Sequence, residues 1–93
     1  MVVAVVRFLE RVQGGRHSPP QSGFRPQVNI RGDHTSCVVE SVEGVREFAF
    51  GLEHRVNLTL TFPAQYPNAF KVGDAIDFYE GNRRIGHGHI VKA

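Results

Sequence analysis

The sequence predicts an all-β domain, either an antiparallel sandwich or a small closed barrel. Three observations carry that expectation. The stretch "HRVNLTLTF" alternates strictly, with Val56, Leu58, Leu60 and Phe62 on one face and Asn57, Thr59 and Thr61 on the other. That is the period of a half-buried strand. Short runs rich in β-branched residues recur along the chain, punctuated by Gly, Pro and Asn. No segment sustains an apolar repeat of 3.6 residues, so helices are not expected. With 93 residues and no internal repeat, one domain spanning residues 1–93 is the natural organisation.

Taken in order, "VVAVVRFLERV" predicts a strand from about Val2 to Val12. The run "GGRHSPPQSGFRPQ", Gly14 to Gln27, follows it. Its glycines, prolines and polar residues have the composition of a linker, yet strand-like segments flank it. "PQVNIR" and "TSCVVES" are shorter strand candidates. "VREFAF" sets Val45, Glu47 and Ala49 against Arg46, Phe48 and Phe50, again with period 2. After the alternating strand, Pro63 to Ala75 forms a second loop-like stretch with an exposed Tyr66. The end of the chain predicts a hairpin: Ile76 to Tyr79 runs out, "EGN" turns, and Arg83 to Val91 returns. Gly81 and Asn82 tolerate the positive φ such turns require. Gly86 and Gly88 share one face of the return strand, where missing side chains let a neighbouring backbone approach.

Composition narrows the function classes. Net charge is +2, which permits an anionic partner without demanding one. Cys37 is the single cysteine, so no internal disulfide can form and a reducing compartment is expected. The apolar start of the chain is too short to span a membrane. It also lacks the basic flank and cleavage site of a signal peptide. A soluble, cytoplasmic protein with no membrane partner is the expectation.

No GxxxxGK[ST] phosphate cradle is present, so no GTP binding and no cofactor are expected. "GHGH" places His87 and His89 on one strand face, where two imidazoles can share a Zn or Ni ion. A third ligand is missing at any obvious spacing, and surface histidines account for the same pair. His34 precedes Cys37 by three residues; a nucleophile pair would require the two side chains to meet. A small buried strand residue explains Cys37 as well, and no enzymatic activity is expected. The basic residues are more informative. Arg16, His17, Arg25 and Arg31 lie in or beside the first loop, and Arg83 and Arg84 at the final hairpin. Guanidinium groups bind phosphates bidentately, and loop N–H groups add to them. A solvated loop that keeps the domain soluble is the plain alternative.

The first loop and the last hairpin together resemble one family. "GGRHSPPQSGFRPQ" is similar to the loop near the start of the C-terminal, third β-barrel domain of bacterial elongation factor Tu. Gly14, Gly15, Arg16, His17, Ser18 and Pro19 match its first half. Gly23, Phe24, Arg25, Pro26 and Gln27 match its second half at the same spacing. "YEGNRRIGHGHIVKA" resembles the family's closing hairpin through Glu80, Gly81, Arg83, Gly86, Gly88 and Lys92. "FGLEHRVNLTLTFP" resembles an internal strand, and "DHTS" a D-V-T-G step with Asp33 and Thr35 in place. The resemblance runs from about Val5 to Ala93.

It implies a closed six-stranded antiparallel barrel of Greek-key character. It implies an RNA-binding module that grips a tRNA-like stem by its backbone through Arg16, His17, Gln27, Thr35 and Gly81. Arg25, Arg83 and Arg84 would supply additional phosphate contacts. RNA stems are held through phosphates and 2′-hydroxyls, a task suited to cations, short polar groups and a glycine N–H. The sequence departs from the family in lacking the GTPase domain and second barrel. Asp77 stands where the family has alanine at an interface, His87 and His89 replace small apolar residues, and Asn82 and Arg84 replace a glycine and a threonine. A module that mimics the elongation factor and docks a protein partner of the translation machinery is the alternative function. Within the loop, Arg16 and His17 carry the functional reading. Arg25 and Pro26 have a folding reading as well, as an ion pair at the barrel mouth and a fixed strand entry.

Overall fold

The computed structural model describes residues 1–93. Six strands make up the chain: β1 Val2–Phe8, β2 Gln27–Ile30, β3 Asp33–Ser41, β4 His54–Leu60, β5 Ala75–Glu80 and β6 Arg83–Lys92. Two short 3-10 turns, Arg11–Gln13 and Pro63–Gln65, are the only helical elements. No helix is long and apolar enough to cross a membrane.

The strands close into a barrel in the order β1-β4-β3-β2-β5-β6, with every neighbouring pair antiparallel. β2, β3 and β4 follow one another directly, while β1 lies beside β4 rather than β2. That arrangement is a Greek key. In the closed ring β1 stands opposite β2, and β4 stands opposite β5. The two long connections are therefore forced across the barrel's open ends. Residues 9–26 bridge one mouth and residues 61–74 bridge the other. The expected linker is a lid on the barrel.

The core is built from the inner face of each strand. Ala4, Val6 and Phe8 come from β1, Val28 and Ile30 from β2, Cys37 and Val39 from β3. Val56 and Leu58 follow from β4, Ile76 and Phe78 from β5, and Ile85 and Ile90 from β6. The outward residues between them are polar or half-buried, as period-2 alternation requires. Gly86 and Gly88 act as the sequence predicts. A Cβ on Gly86 would lie 2.7 Å from the Phe8 ring, and one on Gly88 would lie 2.1 Å from the Val5 carbonyl oxygen. Their bare backbone lets β1 pack flush against β6.

Four expectations are corrected. β1 ends at Phe8 instead of Val12, because the chain turns through Arg11–Gln13 to enter the lid. "VREFAF" is not a barrel strand. Its alternation is real, since Phe48 is buried, but its backbone pairs with the first loop: Ser22 N–H donates to Arg46 O and Phe48 N–H to Pro20 O. Tyr66 is half-buried against the core, not exposed. In the β5–β6 turn only Gly81 takes positive φ (63°); Asn82 does not. The turn that needs left-handed geometry twice joins β2 to β3, with φ 53° at Arg31 and 89° at Gly32, the pattern of a type I′ hairpin.

Candidate nucleic-acid interface

The first loop is ordered by its own glycines and prolines. The chain folds back after β1 so that Gly15 N–H reaches Glu10 O (3.0 Å) and Arg16 N–H reaches Leu9 O (2.9 Å). Gly15 must be glycine, since a Cβ there would lie 1.8 Å from Leu9 O. Pro20 and Pro26 are buried. Phe24 meets Phe8 edge to face, with ring centroids 5.5 Å apart, and lies 6.3 Å from Phe48. Backbone bonds complete the seat: Gly23 N–H to Val39 O, Val39 N–H to Phe24 O and Cys37 N–H to Pro26 O. Aromatic burial and satisfied backbone groups are what keep a Pro- and Gly-rich segment folded.

The loop is clasped to the β5–β6 hairpin at two points. Arg16 places its guanidinium 3.1 Å from the Glu80 carboxylate and 5.5 Å above the centre of the Phe24 ring. Arg83 reaches back from β6 to donate to Gly15 O at 3.2 Å. These contacts join residues far apart in sequence, bringing Arg16, His17, Gly81 and Arg83 to one rim of the barrel. His17 is positioned by Arg11, whose Nη1 lies 2.7 Å from Nε2 of the imidazole. A guanidinium only donates, so Nε2 accepts and the ring proton sits on Nδ1. That N–H is left to donate outward.

Gln27 and Arg84 lie on the barrel wall beneath this rim. Gln27 pairs across the sheet with Tyr79, and Tyr79 pairs with Arg84, so the three side chains form one outward row over β2, β5 and β6. Arg84 donates through Nε to Asp77 at 2.8 Å, which gives Asp77 its partner on the barrel surface. Arg25, just before β2, is exposed.

The ion pair of the loop falls to Arg16 and not to Arg25. Arg25 makes no ion pair at the barrel mouth; its guanidinium points to solvent because its neighbours Phe24 and Pro26 take the inward positions. Arg16, expected at the loop's outer part, is the partly shielded, acid-paired one. Thr35 faces the other way. It sits on the inner face of β3 at 7% exposure, because the alternation that sends His34 and Ser36 outward sends Thr35 inward. Arg31 stands at the far end of the barrel, against the Pro67 and Asn68 carbonyls.

The remaining candidates separate cleanly. His34 and Cys37 lie on opposite faces of β3, so the imidazole does not reach the thiol. Burial pushes the Cys37 thiol up to about 12, far from a thiolate at neutral pH. His87 and His89 point outward together as expected, but no group of three or more His, Cys, Asp or Glu side chains gathers anywhere in the chain to hold a metal.

Sequence reasoning missed Arg11, which positions His17, and the structural use of Glu80. It also missed a stack between His34 and Tyr79, whose ring centres lie 4.3 Å apart. Strand spacing alone carried no signal for that pair, because a third strand separates them. No family model matches the chain.

Proposed function

We propose that this domain is a non-catalytic RNA-binding module that holds a tRNA-like stem by its backbone. The observation that carries this reading is the clasp between the first loop and the β5–β6 hairpin. It sets Arg16, His17, Gly81 and Arg83 on one rim, above the wall that carries Gln27, Arg25 and Arg84. The chemistry suits phosphates. Arg25 has no acidic partner, Arg83 bonds only a neutral carbonyl, and the His17 Nδ1–H is free to donate. Charge-assisted donors of this kind fix a backbone without reading sequence. The resemblance of this loop and hairpin to those of the third barrel of elongation factor Tu supports the same reading. Thr35, on the inner face of β3, is the least exposed of the RNA contacts that the resemblance implies.

Titration with a labelled tRNA at low ionic strength tests the proposal. Binding is expected, weakening as salt rises, and the double variant Arg25→Ala, Arg83→Ala is expected to bind much less. No binding at low salt, or equal binding by the double variant, overturns it.

One observation favours a second reading, a protein-docking module. The β3–β4 connection exposes Val42, Val45 and Leu52 at the same end of the barrel as the clasped loop. Exposed apolar residues gathered at one end of a domain are a feature of protein contacts. A complex formed with a translation protein in the presence of ribonuclease, and lost on Leu52→Asp, would favour this reading over RNA.

A further inference from the structure

We infer that the outer wall of the barrel carries a stacking site for one unpaired base, so that the RNA recognised is a stem with an adjoining single-stranded nucleotide. This rests on the RNA-binding reading above and adds a second, distinct contact to it.

The site is the His34–Tyr79 pair. His34 stands opposite Asn29 on one side of β2, and Tyr79 stands opposite Gln27 on the other. The two rings lean toward each other across β2 and stack at 4.3 Å with their planes 25° apart. Each covers one face of the other. His34 is exposed, which leaves its outer face open to solvent as a ready-made, pre-oriented π surface. Bases that have left a duplex are bound on such surfaces.

The groups around the pair are those a nucleotide needs. Gln27 is exposed beside Tyr79 and its side-chain amide makes no hydrogen bond to the protein, so that amide can meet a base edge. Arg84, directly across from Tyr79, uses only Nε on Asp77 and leaves its two η nitrogens uncommitted. Arg25 lies two residues before Gln27 and is exposed. A ring face on β3, an amide on β2 and guanidinium nitrogens on β6 thus share one wall about 14 Å wide, three strand spacings. A protein surface would want apolar relief here, and a duplex has no free base for the ring. The combination of a flat aromatic face with phosphate donors points to an unpaired nucleotide.

The probes are a blunt RNA duplex and the same duplex with a short unpaired 3′ or 5′ extension, titrated at low salt against the full chain. The extended RNA is expected to bind about tenfold more tightly, the size of one base–aromatic stack. His34→Ala is expected to abolish that difference while leaving the blunt duplex unaffected. His34→Phe, which keeps a ring but no nitrogen, is expected to preserve it. The His34 ring protons should move upfield in nuclear magnetic resonance spectra with the extended RNA and stay in place with the blunt one. If both RNAs bind equally and His34→Ala changes neither, the stacking site is overturned while stem binding stands. If neither RNA binds, both are overturned.

Discussion

The Glu80 carboxylate at the end of β5 holds the Arg16 guanidinium of the barrel lid at 3.1 Å. Residues sixty-four positions apart thereby fix where the lid sits over the hairpin. The pair is partly exposed, with the Glu80 side chain about half open to solvent, so its direct contribution to stability is small, about 0–1 kcal/mol. Its larger effect is electrostatic. Glu80→Gln is expected to leave the melting temperature nearly unchanged. RNA affinity at low salt should rise, because the carboxylate competes with phosphate for Arg16. A melt and a titration on the same sample check this; weaker RNA binding by the variant would mean the acid positions the arginine for RNA.

Gly14 and Gly15 are neighbours with different needs, and alanine separates them. Gly15 has no room: the added Cβ meets the Leu9 carbonyl oxygen at 1.8 Å. Gly14 has open space around it but a φ of 86°. Gly14→Ala is expected to cost about 1–2 kcal/mol, the penalty for a side chain in left-handed backbone. Gly15→Ala is expected to cost about 3 kcal/mol or more, as an overpacked site whose neighbour is backbone. Denaturant midpoints of the two variants measure the order.

Phe48 closes the barrel from a segment that is not a strand. It is fully buried, 5.3 Å from the Phe8 ring and 5.1 Å from the His54 ring. Phe48→Ala is expected to cost about 3–5 kcal/mol, a large part of the roughly 5–15 kcal/mol that holds a small domain folded. Phe48→Leu should recover much of that. Urea unfolding followed by circular dichroism gives both values.

Phe48 also shows what the sequence could and could not reveal. The period-2 pattern around Val56 and Leu58 located β4, because a strand's own alternation encodes which face is buried. The same pattern in "VREFAF" foretold the burial of Phe48, but not that its backbone partner is the first loop. Pairing is a property of two segments, and one segment's pattern does not carry it. The glycine spacing at Gly86 and Gly88 was legible because it has a steric cause on a single strand. The roles of Arg16 and Arg25 were not. Which arginine finds an acid depends on Glu80 arriving from the far end of the chain. Thr35 was matched by its motif alone, a match that takes no account of the alternation that turns it inward.

Cys37 gives a pH dependence of definite sign. Burial raises its thiol from an ordinary 9.0 to about 12 in the folded protein. Below pH 9.0 the thiol is neutral in both folded and unfolded chains and contributes nothing to the pH dependence. Above it the unfolded thiol ionises while the folded one does not, so unfolding becomes easier as pH rises from 9.0 toward about 12. Wild type is expected to lose stability relative to Cys37→Ala across that window. A thiol reagent at neutral pH should react only when denaturant is added. Equal pH profiles for the two proteins would show that the thiol ionises as readily inside the barrel as outside.

Arg16 and Arg25 provide the sharpest test of the proposed interface, because the two side chains have opposite surroundings. Arg25 is exposed and unpaired. Its removal deletes one proposed phosphate donor and no internal contact. Arg25→Ala is therefore expected to keep the melting temperature and to weaken RNA binding. The salt slope of its affinity should fall by about one, the signature of a single lost phosphate contact. Arg16 is held by Glu80 and lies over Phe24. Arg16→Ala removes both the ion pair and the cation–π contact, so it should lower the melting temperature. Its effect on the salt slope should be smaller than that of Arg25→Ala, since part of its charge is already met within the protein. If Arg16→Ala reduces the salt slope more than Arg25→Ala does, the lid must release Arg16 from Glu80 when RNA binds. The clasp would then be a contact that RNA replaces, and not the scaffold that holds the rim together.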